Sequence, residues 1–143
     1  MLSKGKSLLG LDIGSKRIGM AVSDELGITS HGLSTIKRKN DEEVRAHLRN
    51  VIAREGVKEI VVGLPLNMNG SYGPQAKGAI VFAENLKENF NIPVKLWDER
   101  MSTMEVERIL IDAGTSRAKR KKKIDKLAAQ VILQNYLNTK KHQ

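Results

Sequence analysis

Four acids stand where chemistry could be done. Asp12 lies inside an apolar run, Gly10-Leu11-Asp12-Ile13-Gly14, Asp98 and Glu99 close a short apolar segment, and Asp125 borders an apolar helical face. A carboxylate within an apolar strand is costly unless it is paired or binds a cation. The chain has no cysteine, and His31, His47 and His142 show no metal-ligand spacing. Carboxylates drawn from separate segments are oxygen ligands suited to a hard cation, Mg²⁺ or Mn²⁺. Two such ions about 3.5–4 Å apart would activate a water and stabilise the leaving oxygen of a phosphodiester. On this reading Asp12, Asp98, Glu99 and Asp125 are the candidate metal ligands. Neighbours on one strand point to opposite faces, so only one of Asp98 and Glu99 can look into a shared site. Structural alternatives stay open. Asp98 and Glu99 could be loop acids, Glu99 could pair with Arg100, and Asp125 could be a solvated charge among lysines.

The basic residues are unevenly spread. Residues 1–114 hold 16 Lys/Arg against 15 Asp/Glu, whereas residues 115–143 hold 9 against the single acid Asp125. Nearly all of the net charge of +9 therefore sits in the last fifth of the chain. Its dense part includes Arg117, Lys119, Arg120, Lys121, Lys122, Lys123 and Lys126. Such a run suits a polyanion, most simply the phosphates of nucleic acid, or it is a solvated face. Lys16 and Arg17, just after Asp12, could meet a phosphate, as could Arg100 beside Glu99; Arg100 could instead orient Glu99. Aromatic residues are only 3% of the chain, so phosphate contacts rather than base stacking are the expected mode.

The elements that must position these groups follow from periodicity. Ser7 to Ile13, Arg17 to Ser23 and about Ile28 to Ile36 read as three strands joined by tight turns, hence an antiparallel meander. Asn40 or Asp41 caps a helix with Val44, Leu48, Val51 and Ile52 inward and Gly56 as its stop. Glu59 to Leu64 is a fourth strand. Pro74 suits the first turn of a second helix, whose inner face is Ala76, Ala79, Ala83, Leu86 and Phe90. Pro93 to Asp98 is a fifth strand. Ser102-Thr103-Met104-Glu105 is a capping box opening a helix that ends at Gly114. A last helix spans about Lys119 to Leu137, with Ile124, Leu127, Ala128, Val131, Ile132 and Asn135 on one face. Ala128 and Ala129 would let it approach the sheet closely. Strands entered through helical crossovers add in parallel. The result is an α/β fold, one mixed five-stranded sheet flanked by helices, in the element order of the ribonuclease H-like fold.

With 143 residues and 40% hydrophobic composition, one domain over 1–143 with a substantial core is expected, and a wholly disordered chain is not. The lack of cysteine excludes disulfides, thiolate metal sites and a cysteine nucleophile. No apolar run is long enough to span a membrane, and the start lacks a signal-peptide core. The expected location is the cytoplasm, with no membrane partner.

With these residues in view, the chain resembles the YqgF/RuvX family, Holliday-junction-resolvase-like nucleases of bacteria. Four motifs carry the resemblance, in order and over nearly the whole chain. They are Gly10-Leu11-Asp12-Ile13-Gly14-Ser15-Lys16-Arg17-Ile18-Gly19-Met20-Ala21-Val22-Ser23-Asp24, Val62-Gly63-Leu64-Pro65-Leu66-Asn67-Met68-Asn69-Gly70-Ser71, Asp98-Glu99-Arg100-Met101-Ser102-Thr103, and Asp125-Lys126-Leu127-Ala128-Ala129-Gln130-Val131-Ile132-Leu133-Gln134. Met101 stands where the family more often has a bulkier apolar residue. The resemblance implies the ribonuclease H-like fold and a metal-dependent nuclease that trims the 5′ end of the precursor of small-subunit ribosomal RNA. The family's acidic positions match Asp12, Glu99 with Asp98 beside it, and Asp125.

On that reading Asp12, Glu99 and Asp125 are catalytic and hold Mg²⁺ or Mn²⁺, with Asp98 second to Glu99. Lys16, Arg17, Arg100, Lys119, Arg120, Lys121, Lys122, Lys123 and Lys126 hold nucleic acid. Precursor ribosomal RNA is the favoured substrate and branched DNA the alternative. RNA trimming fits a monomer, while junction cleavage would need a dimer. Two rivals remain: an ATP-binding enzyme built on an Asp12-x-Gly14 hairpin, which would need a second domain, and a non-catalytic RNA-binding or transcription factor. The second predicts that Asp12, Glu99 and Asp125 can be neutralised without loss of function.

Overall fold

The computed structural model describes residues 5–100, 114 and 116–140, without the side chains of 117–126. The five strands form in the expected places: β1 (Ser7–Ile13), β2 (Arg17–Ser23), β3 (Ser30–Lys37), β4 (Val57–Leu64) and β5 (Val94–Asp98). The helices are α1 (Asp41–Glu55), α2 (Pro74–Phe90) and α3 (Arg117–Lys140). The expected helix opened by Ser102 falls outside the described residues.

Bounds differ in ways that have physical causes. β3 starts at Ser30 rather than near Ile28, because the Asp24 carboxylate accepts the amides of Ile28 and Thr29 at 2.7 and 3.3 Å and bends the chain there. β4 starts two residues earlier than expected, directly after the left-handed Gly56 that ends α1 (φ 64°). Asn40, not Asp41, caps α1, its side chain accepting the Glu43 amide.

The strand order is β3-β2-β1-β4-β5. β1 runs antiparallel to β2 and parallel to β4, β2 and β3 are antiparallel, and β4 and β5 are parallel. The meander and the two parallel additions are thus as the helical crossovers require.

Alternation along the strands builds two cores. Leu9, Leu11, Ile18, Met20, Ile60 and Val62 pack with Val44, Leu48 and Val51 of α1 and Ala79, Ala83 and Leu86 of α2. Leu8, Ala21 and Val61 face the other way and pack with Ala129, Ile132, Leu133, Tyr136 and Leu137 of α3. The inward face of α3 is therefore rotated from the expected one, since Leu127, Ala128 and Val131 are only half-buried. Close approach decides this rotation. A Cβ on Gly10 would lie 2.8 Å from Leu133 Cβ and 3.1 Å from the Ala129 carbonyl, so α3 rests almost directly on the β1 backbone.

Polar contacts fix α3 along its length. Gln134 Oε1 accepts the Ser30 amide at 2.9 Å, and Ser30 Oγ donates to the Gln130 carbonyl at 2.9 Å. Trp97 Nε1 donates to Asn135 Oδ1 at 3.0 Å, and its ring meets Tyr136 edge-on at 5.2 Å. Tyr136 Oη donates to the buried Glu59, which also pairs with Lys140 at 3.2 Å. Trp97 is thus a packing residue beneath α3. Among the described residues no helix is long and apolar enough to cross a membrane.

Candidate active site

Strand alternation carries the acids to one face. On β1, Leu8 faces α3, and Gly10 and Asp12 follow at intervals of two. On β5, Trp97 faces α3, and Glu99 follows two residues later. β1, β4 and β5 are mutually parallel, so Asp12 and Glu99 emerge at the same end of the sheet, the carboxyl ends of its parallel strands. That end is where open α/β sheets bind ligands. The Glu99 amide donates to the Leu64 carbonyl at 3.3 Å, which prolongs the β4–β5 pairing to the acid itself.

Glycine makes the room. A Cβ on Gly63 would collide with Glu99 Oε2 and lie 2.6 Å from Ile132 Cδ1, so the Glu99 carboxylate fills the place of the missing side chain. Gly19, opposite Asp12 on β2, is less constrained: a Cβ there would be 3.6 Å from both Asp12 Cβ and Ala129 Cβ, an ordinary contact. Asp125 belongs to α3, one turn before Ala129, and its side chain lies outside the described residues. So do the side chains of Lys119, Arg120, Lys121, Lys122, Lys123 and Lys126.

The structure separates Asp98 from Glu99. Arg100 Nε donates to both Asp98 carboxylate oxygens at 3.1 and 3.0 Å, and Nη2 donates to Oδ2 at 2.7 Å. The Arg100 amide adds a bond to Asp98 Oδ1 at 3.1 Å. Arg100 is thus committed to Asp98, not to Glu99, and its Nη1 donates to the Met68 carbonyl at 3.2 Å. This pairing holds the Asp98 carboxyl below its usual range. Glu99 shows the opposite behaviour. Among the described residues its buried Oε2 has no hydrogen-bond partner. Burial first, then the charges of Asp12 and Asp98, push its carboxyl up to about 7.

An unpartnered buried carboxylate oxygen beside a second carboxylate is a cation-shaped electrostatic deficit. Asp12 and Glu99 supply only oxygen donors, which suits Mg²⁺ or Mn²⁺ rather than a softer metal. Among the described residues no group of three ligating side chains converges.

Lys16 in the β1–β2 turn and Arg17 at the start of β2 are exposed, next to the Asp12 end of β1. Sequence reasoning passed over Arg38, which braces that turn: its Nη1 donates to the Gly14 carbonyl at 2.8 Å and its amide to the Lys16 carbonyl at 2.9 Å. It also passed over Gly63 and the Met68 carbonyl. Gly63, placed between large residues in a buried strand, was a legible signal of close approach; the carbonyl had none.

A model of the family described as RuvX, Holliday junction resolvase, matches residues 6–139. A relative from Geobacillus thermodenitrificans is 56% identical over 138 residues, covering 93% of this chain and 98% of its own. One from Clostridium acetobutylicum is 48% identical over 132 residues, covering 92% and 98%. Both bear the provisional name pre-16S rRNA nuclease. Among solved structures, RuvC of T. thermophilus in complex with a Holliday junction substrate aligns with a TM-score of 0.55 at 15% identity, over 94% of each chain. The fowlpox virus Holliday junction resolvase aligns at 0.51 and 18% identity, over 93% of this chain and 98% of its own. These likenesses establish the ribonuclease H-like architecture expected from the element order.

Proposed function

The chain belongs to the RuvX family, and from that premise we propose that it is a metal-dependent nuclease that matures the 5′ end of precursor 16S ribosomal RNA. The observation that carries this reading is a buried Glu99 oxygen, without a hydrogen-bond partner among the described residues and within the electrostatic reach of Asp12, at the carboxyl ends of the parallel strands. Among the described residues nothing donates to that oxygen, and a cation held there would supply the missing positive charge.

We assign Asp12, Glu99 and Asp125 as the residues that hold Mg²⁺ or Mn²⁺. A divalent ion there would make water nucleophilic at neutral pH and stabilise charge on the leaving oxygen. The protein's own part is positional. Gly63 admits Glu99, and the Leu64 carbonyl holds its backbone. Glu99 would hold such an ion as its ionised carboxylate, having given up its proton. Asp98 serves by fixing Arg100 rather than as a ligand. Lys119, Arg120, Lys121, Lys122, Lys123 and Lys126 draw in the phosphate backbone, and Lys16 and Arg17 meet it beside Asp12. One protein domain, acting as a monomer in the cytoplasm, suffices for this chemistry on RNA.

The test is cleavage of a single-stranded precursor 16S 5′ leader and of a four-way DNA junction, each with Mg²⁺ or Mn²⁺, by wild type and Asp12→Asn. The expected result is RNA cleavage by wild type alone, with RNA binding retained in the variant. Junction cleavage in its place would make this a resolvase and require a dimer. Equal behaviour of the two proteins would overturn the metal site and leave an RNA-binding factor.

A further inference from the structure

The loop after β4 holds a feature that the hydrolytic residues do not use. Of the five aromatic residues, four are packed. Phe82 lies under Arg38 and Phe90 under Arg49, at 5.6 and 5.9 Å. Trp97 and Tyr136 pack on each other. Tyr72 alone among the described aromatics stands out, 53% exposed, and makes no hydrogen bond or ring contact with described residues. Met68, in the same loop, is 68% exposed.

Isolated exposed apolar residues are ordinary. These two differ in how they are held. The Asn67 amide donates to the Ser71 carbonyl at 3.0 Å, and the Gly70 amide to the Asn67 carbonyl at 2.7 Å. Asn69 Oδ1 accepts both the amide and the hydroxyl of Ser71. Gly70 takes φ 87°, which closes the turn without strain. Arg100 then ties the Met68 carbonyl to Asp98, next to Glu99. A braced turn therefore carries the exposed Met68 thioether and leads directly into the bare Tyr72 ring, in a loop that Arg100 ties to Asp98. The backbone of the turn is already ordered in the fold, so a ligand does not bear the cost of ordering it.

We propose that Tyr72, helped by Met68 of the same loop, is a stacking platform for an unpaired nucleobase next to the phosphate to be cut. The inference rests on the nuclease reading and deepens it, since it makes single-stranded nucleic acid the substrate class. Bases in a duplex are already stacked and cannot lie on such a ring, whereas unpaired bases do so readily.

The experiment is binding of a short single-stranded RNA, scanned with 2-aminopurine along its length, in EDTA so that no hydrolysis occurs. Tyr72→Ala, Tyr72→Trp and Met68→Ala are compared with wild type. Wild type should quench the fluorescence at one position. Tyr72→Ala should lose that quenching and bind about 5- to 150-fold more weakly, and Tyr72→Trp should restore both. Met68→Ala should show a smaller loss. In cleavage, Tyr72→Ala should raise KM with little change in kcat. The urea midpoint of each variant should match wild type, given the exposure of both side chains. Unaltered affinity and quenching in Tyr72→Ala would overturn the platform, even if RNA is cleaved normally. Quenching that depends on Tyr72 in a protein that cleaves nothing would sustain the platform and sink the nuclease reading. A wild type that binds no RNA would overturn both.

Discussion

Glu99→Gln should make the metal-free protein more stable while destroying its activity. Glu99 is raised from its ordinary 4.5 to about 7 by burial and by the charges of Asp12 and Asp98. An acid that holds its proton more tightly when folded loses stability as pH rises from its unfolded value to its folded value. Above about pH 7 the full penalty is present. At about 1.4 kcal/mol per tenfold change in proton affinity, this amounts to about 3 kcal/mol at pH 8 and about 1 kcal/mol at pH 5. Glutamine keeps the shape and carries no charge, so it escapes the penalty. Urea unfolding in EDTA should show the variant with a midpoint about 1–2 M higher at pH 8. The advantage should shrink to a third or less at pH 5. Excess Mg²⁺ or Mn²⁺ should stabilise wild type and leave the variant unmoved, because mass action favours only the state that binds. Cleavage by the variant should be lost. A variant no more stable than wild type at pH 8 in EDTA would refute the electrostatic reasoning; full cleavage by it would refute the role of Glu99.

Gly63→Ala places a methyl group against Glu99 and Ile132 Cδ1; it should cost about 1–3 kcal/mol by overpacking and cut cleavage at least tenfold, and a fully active variant would dismiss the close fit. Asp98→Asn breaks the pair with Arg100, whose side chains are 40% and 29% exposed. Its stability cost should stay under about 1 kcal/mol, while KM for RNA rises as the loop at Met68 loosens; unchanged kinetics would show that the tether is idle. Tyr136→Phe removes the donor to buried Glu59 and should lower stability by about 1–3 kcal/mol in thermal unfolding, with cleavage intact below the transition. Loss of cleavage in a folded Tyr136→Phe protein would tie the far end of α3 to the chemistry.

The legible parts of the fold were those written in local sequence. Alternation in Arg17 to Ser23, the Asn40 cap, the Gly56 stop and Pro74 at a first turn each depend on neighbours a few residues away, and each element formed where they stand. Errors had two sources. One was local but invisible to strand alternation: the Asp24 side chain delayed β3 by capturing the amides of Ile28 and Thr29, four and five residues on. The other was long-range. The face of α3 turned because Gly10, more than a hundred residues earlier, presents a bare backbone to Ala129 and Leu133. No helical periodicity read along α3 alone contains that contact.

The candidate site divides in the same way. Residue type marked Asp12, the Asp98–Glu99 pair and Asp125, because charges inside or bordering apolar segments need a reason wherever the chain folds; the family resemblance, not residue type, favoured Glu99 over Asp98. Period two along β5 also dictated that Asp98 and Glu99 part company. Which of them turns inward, and what becomes of each, was decided by tertiary packing. Glu99 points into the hollow left by Gly63 on a neighbouring strand, where burial and Asp12 hold its proton. Asp98 turns to Arg100, which in turn grips a carbonyl in the loop after β4. Sequence determines what each group can do chemically and to which side of its own element it points. Whether a carboxylate meets a guanidinium, another carboxylate or a void depends on atoms brought from elsewhere in the chain, and only the folded structure brings them there.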